Sequence, residues 1–205
     1  MNISDRAKQG FDQFVQHCMR TTLVPSGRTE IGMVAMDSLA PPPRPSRTAS
    51  GFGPAAEPRG AVVMLTVASS SFSLVLFLHH EADAASLAKR PTQHGLSPAH
   101  GDEQAAQEAL ADALAETGNL FCGALNRELG RVFPLVGMST PHRLDAHCVD
   151  HLALLRYGHV RHFRMALDDG SHRLASYCVC AYGDVDFIAP PVAAGDVGVG
   201  ELEMF

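Results

Sequence analysis

The sequence predicts an α+β domain in which an antiparallel sheet carries two long helices on one face. Three observations point there. Two stretches, residues 4–22 and 102–130, place apolar side chains at helical spacing. The remaining apolar runs come as neighbouring pairs joined by short polar turns, which is the pattern of antiparallel hairpins. Apolar residues make up 46% of 205 residues, enough to bury one sizeable core. The order helix–strand–strand–(short helix)–helix also hints at a weak internal two-fold repeat.

The elements follow in order. Residues 4–22 form an amphipathic helix with Ser4 or Asp5 as its N-cap and a stripe of Phe11, Phe14, Val15, Cys18 and Met19. A short strand is expected near Ile31–Met36. Residues 40–59, APPPRPSRTASGFGPAAEPR, are too rich in Pro, Gly and Ser for regular structure and read as a flexible insertion. Gly60–Ala68 and Phe72–Leu78 are continuous apolar runs around a serine cluster, so they form a largely buried hairpin. Glu81–Lys89 has its acids at the start, as a short helix favours, and 91–101 is a polar loop with His94 and His100. Asp102–Gly130 is the dominant helix. Periodicity assigns Leu110, Ala113, Leu114, Thr117, Leu120, Phe121, Ala124 and Leu125 to one side. Beyond it come a strand near Val132–Val136, a Ser-Thr-Pro turn, an irregular stretch around His147–His151, and strands His159–Leu167 and Arg173–Tyr182. The last two are joined by Asp168-Asp169-Gly170-Ser171, a strong turn signal. One domain thus spans 1–190, with the insertion inside it and 191–205 as a peripheral tail.

Composition narrows function. A net charge of −6 without clustered Lys or Arg argues against nucleic acid. The apolar runs are far shorter than the roughly 20 residues of a membrane span, and the start MNISDRAKQ has no secretory pattern. A cytoplasmic protein with no membrane partner is expected. The five cysteines, Cys18, Cys122, Cys148, Cys178 and Cys180, form no CxxC pair, so a disulfide framework is not expected. Cys178 and Cys180 lie two apart in a strand, facing one side, taken as the core.

The dominant helix carries the chemistry. Asp112, Glu116 and Asn119 are separated by four and three residues and share one face, with Glu108, Gly123 and Asn126. A carboxylate beside an amide on a rigid helix suits a site that holds a water and docks a cationic partner. Gly118 and Gly123 each weaken the helix by about 1 kcal/mol against Ala. At Gly123 the missing side chain would let another protein approach; at Gly118 tight helix packing is the better reading. Pro141 has neither donor nor charge and shapes the turn after the strand.

These residues resemble a known family. Asp/Ser-x3-Glu-x2-Asn, then a proline some twenty-one or twenty-two intervening residues later, is the signature of the CheC/CheX/FliY chemotaxis phosphatases. Here Asp112, Glu116 and Asn119 fit it, with Pro141 22 positions beyond Asn119. The flanking ETGNLFCG and the upstream RGAVVMLTV also look like this family, and a single motif in the second half is closest to CheX-like members. The resemblance covers roughly residues 60–185. It implies a CheC-like fold and hydrolysis of the aspartyl phosphate of a CheY-like response regulator. By the same resemblance Asn119 would orient the attacking water and Glu116 would dock the regulator's lysine. Asp112 is either part of the partner surface or a solvated helix residue one turn before Glu116, and Gly123, by its place in the polar stripe, would lie at that surface. No cofactor of its own is implied, since the regulator would bring the Mg²⁺, and a homodimer paired through sheet edges is implied too. The insertion, the histidine-rich segment and the long tail depart from the pattern.

Two other functions compete. A CheX-like domain could bind a receiver domain as a non-catalytic adaptor, although the intact Glu116/Asn119 pair favours activity. A metal-binding protein is suggested by eleven histidines and the cluster His147, Cys148, Asp150 and His151. No further ligand set has recognisable spacing, so no metal site is assigned. GxxxxGK[ST] and GxSxG are absent, which argues against an autonomous NTPase or serine hydrolase.

Overall fold

The structure is a computed structural model that describes residues 1–36, 61–80, 100–145, 148–149 and 155–191. Its elements are α1 (Asp5–Thr22), β1 (Glu30–Met36), β2 (Ala61–Ser69), β3 (Phe72–His80), α2 (His100–Gly130), β4 (Val136–Met138), β5 (His142–Asp145), β6 (His159–Leu167) and β7 (His172–Ala181). The insertion at 40–59, the short helix Glu81–Lys89, His94 and the tail beyond 191 lie outside the described residues, as do His147, Asp150 and His151.

One antiparallel sheet runs in the order β1-β6-β7-β3-β2-β4, with β5 pairing β2 beside β4. Alternate residues of its central strands point to the helices. Val63, Leu65 and Val67 of β2, Leu74 and Leu76 of β3, Phe163 and Met165 of β6, and Tyr177 and Val179 of β7 join buried side chains of both helices in one core. α1 starts where Ser4 Oγ accepts from the Ala7 N–H at 3.2 Å, which satisfies one of the helix's free amides. Its Phe11 sits among Phe72, Phe133 and Phe187, with edge-on contacts to Phe72 and Phe187 at 5.1 Å between ring centres.

The opposite face of the sheet carries a smaller cluster of Val62, Phe77, Val149 and Cys178. Cys178 and half-buried Cys180 do share a side, but it is this one, because the two-residue period that sends Tyr177 and Val179 to the helices turns the cysteines away. Burial pushes the Cys178 thiol up to about 12. Nearby, the Ser176 hydroxyl lies 2.8 Å from both His79 Nε2 and His162 Nδ1. Burial lowers both histidines, His79 to about 4, with His162 adding to the shift there.

One further sequence expectation changes, and two features appear that the sequence did not suggest. The strand expected at Val132–Val136 begins only at Val136, because the amides of Val132 and Phe133 turn back onto the Leu129 carbonyl at the helix end. β5 is a strand that local pattern did not suggest. Val185 and Phe187, beyond the last strand, are buried in the main core, and Val185 bridges in parallel to Ile3.

Candidate active site on the long helix

α2 is positioned by a close approach to the sheet. An ideal Cβ on Gly118 would lie 2.9 Å from both Val63 Cγ1 and Pro141 Cβ, so only glycine lets the helix settle this deep. Four residues on, the Cys122 thiol donates to the Ser139 carbonyl at 3.7 Å. Ser139 is itself clamped to β2: its amide donates to the Thr66 carbonyl at 2.9 Å, and its Oγ accepts from the Thr66 amide at 3.1 Å. The Ser-Thr-Pro turn is thereby fixed to the sheet, and Pro141 serves as a wall for Gly118.

With Gly118 inward, helical geometry decides what faces out. Asp112, Glu116, Asn119 and Gly123 lie 100° to 160° round the helix from Gly118 and are all exposed. The expected polar face is therefore assembled on one side of α2. Among the described residues, no hydrogen bond or ion pair engages Asp112, Glu116 or Asn119. An ideal Cβ on Gly123 meets nothing within 4 Å. Pro141 is half-buried and packs against the helix at Gly118.

The apolar side needs correction. Leu114, Phe121, Ala124 and Leu125 are buried as expected, but Ala113 and Leu120 are exposed. The buried stripe is centred on Leu114, Gly118, Phe121, Cys122, Leu125 and Leu129, and Leu120 lies some 200° round from Gly118. It stands 55% exposed beside Glu116 and Gly123. The signal that could have found it is Gly118 itself, a glycine inside a helix that marks the deepest point of packing.

What this face offers is an acceptor carboxylate, an amide that both donates and accepts, and free space beside them. Such a set can hold a water and a cation of another molecule. Among the described residues no group of three or more His, Cys, Asp or Glu is placed to hold a metal ion, and no helix is long and apolar enough to cross a membrane.

Comparison with known proteins follows the same line. No protein-family model matches the sequence, and none of the curated proteins does. Among solved structures, the CheX–CheY–BeF3–Mg²⁺ complex from Borrelia burgdorferi is similar with a TM-score of 0.52 at 14% identity, over 83% of this chain and 96% of that one. A CheC-like superfamily protein from Shewanella sp. PV-4 gives 0.46 at 11% identity, over 86% and 99%. CheX from Vibrio vulnificus gives 0.45 at 13% identity, over 83% and 97%. The chain has the α+β fold of the first of these, the CheX complex.

Proposed function

We propose that this chain is a CheX-like phosphatase that hydrolyses the aspartyl phosphate of a CheY-like response regulator, with Glu116 and Asn119 as its working residues. The observation that carries this reading is the outward face of α2, where the carboxylate and the amide stand exposed and unengaged by any described residue. The fold supports it, and so does the similar Borrelia burgdorferi CheX, whose structure is a complex with CheY, BeF3 and Mg²⁺.

Transfer of a phosphoryl group to water needs in-line positioning and charge neutralisation more than covalent help. The Asn119 amide supplies positioning: its oxygen accepts from the attacking water and its nitrogen donates to a phosphoryl oxygen. Glu116 pairs with the regulator's active-site lysine, which anchors the helix over the phosphate and keeps the carboxylate from repelling it. Asp112, one turn earlier, adds negative charge on the approach side, and Gly123 leaves room for the partner's backbone. The regulator supplies both the phosphate and the Mg²⁺, so the chain works without a cofactor of its own. Its setting is the cytoplasm, in chemotaxis or a related two-component pathway.

The chain also pairs with itself in this reading, through β1. Among the described residues β1 pairs with no strand but β6, and its Ile31 and Val34 are 68% and 63% exposed. An apolar edge of this kind is a template for a second strand. A monomer in sedimentation at micromolar concentration would reject the pairing.

The function is tested by the decay of phosphoryl label from receiver domains. Faster decay with the wild type and loss of that effect with Asn119→Ala are expected. Pull-down of a phosphorylated receiver without any acceleration would replace the phosphatase by an adaptor.

A further inference from the structure

Leu120 stands where no core claims it. Glu116, Leu120, Gly123 and Arg127 follow at steps of four, three and four, so they lie in one line along the outer face of α2. At 1.5 Å per residue that line is about 16 Å long, the footprint of one element packed across a helix. Its order is acid, large apolar side chain, gap, base. Leu120 is more than half exposed, Arg127 is exposed, and an ideal Cβ on Gly123 meets nothing within 4 Å. Single exposed leucines are ordinary on protein surfaces. This one is set apart by its place, one turn from Glu116, adjacent to Asn119, and bordering the open space over Gly123.

We propose that Leu120 is the apolar anchor on which the phosphorylated receiver domain seats, with Gly123 as the notch beside it and Arg127 as the charge that fixes the direction of docking. This rests on the phosphatase reading of Glu116 and Asn119 and adds to it the source of affinity. An exposed ion pair contributes little by itself, so Glu116 alone is a weak holdfast. A leucine desolvated next to it contributes more and shields the pair from water, the arrangement of a central anchor within a polar rim. Charge complementarity selects the occupant: it must present a lysine over Glu116 and an acidic group over Arg127, about 16 Å apart. A receiver domain with its active-site lysine beside the phosphoaspartate meets the first requirement at the point where the chemistry occurs.

The test separates affinity from turnover. Steady-state phosphate release is measured against phosphorylated receiver, and the Kd is measured for the same receiver loaded with beryllofluoride. Leu120→Ala should raise KM and Kd about tenfold while kcat stays within twofold, and Leu120→Met should restore most of the affinity. Gly123→Ala should melt higher than wild type, as its helix is improved, yet bind more weakly; a merely structural glycine would not divide the two readouts. Arg127→Glu should weaken binding most at low salt. Wild-type KM and Kd in Leu120→Ala would overturn the anchor, as would failure of the wild type to bind the loaded receiver. Full turnover by Asn119→Ala would instead sink the phosphatase reading, while the Kd ratio for Leu120→Ala still decides the anchor.

Discussion

α1 and α2 are built alike and used differently. Each presents one buried stripe to the same core: Phe11, Phe14, Val15, Cys18 and Met19 on α1, and Leu114, Phe121, Leu125 and Leu129 on α2. The outward polar groups part company. On α1, Arg6 pairs with Asp186 and Arg20 with Glu30. Asp12 accepts from the Tyr177 hydroxyl, lies 3.0 Å from His159 Nε2 and faces Arg161 at 3.6 Å. On α2, Asp112, Glu116 and Asn119 have no such partner among the described residues. A side chain held by three neighbours of its own fold cannot turn to another molecule without breaking those bonds. A free one can. The polar groups of α1 named here therefore secure that helix to the rest of the fold, whereas Asp112, Glu116 and Asn119 on α2 stand free of such ties among the described residues.

The largest effect that would sharpen this contrast comes from the core. Phe11→Ala should cost about 3–5 kcal/mol of stability, since it empties an aromatic cluster, yet leave turnover per folded molecule unchanged. Denaturant unfolding alongside phosphate release checks both halves.

Next in size is a pH effect on the sheet that supports both helices. His79 and His162 have pKa values lowered by burial, so the unfolded chain takes up their protons first as pH falls. The His79 contribution is complete above about 6.5 and is lost as pH falls towards 4. The loss should be on the order of 2–3 kcal/mol, read as a falling unfolding midpoint between pH 6.5 and 4.5. His79→Gln should flatten that slope, and an unchanged slope would remove His79 as its cause.

The smallest effect has a sign that differs between two glycines of one helix. Gly118→Ala forces a methyl group against Val63 and Pro141 and should lose about 1 kcal/mol net of the propensity gain, whereas Gly123→Ala should gain up to about 1 kcal/mol. Thermal melts of the two variants side by side decide it. Equal shifts would mean that α2 is not seated on Gly118.

Much of this was legible in the sequence because it is local. Ser4 caps α1 as its position suggested, and Gly170, with φ of +81°, turns β6 into β7 where an Asp-Gly pair stood. The hairpin of β2 and β3 announced itself as two apolar runs. β4 was placed four residues too early and β5 was not read at all, because strands of three and four residues owe their existence to the edge of β2 rather than to their own pattern. The common face of Asp112, Glu116 and Asn119 needed only the helical period. Leu120 was misplaced because that period sets relative angles and not which angle points inward. The inward direction is set by Val63 and Pro141 closing on Gly118, a contact between distant parts of the chain. Phe187 was missed for a similar reason, since it lies outside any helix or strand and has no period to read.

The most direct measurement compares the two helices in one assay. Asn119→Ala and Asp12→Ala are prepared, and phosphate release from a phosphorylated receiver domain is followed at a temperature where both variants are folded. Asn119→Ala should lose about 10²–10³ in turnover with its melting temperature unchanged. Asp12→Ala should keep wild-type turnover while its unfolding free energy falls by about 1–3 kcal/mol, as Tyr177 and His159 lose their shared acceptor. Full turnover in Asn119→Ala, or its loss in a folded Asp12→Ala, would contradict the assignment of catalysis to α2.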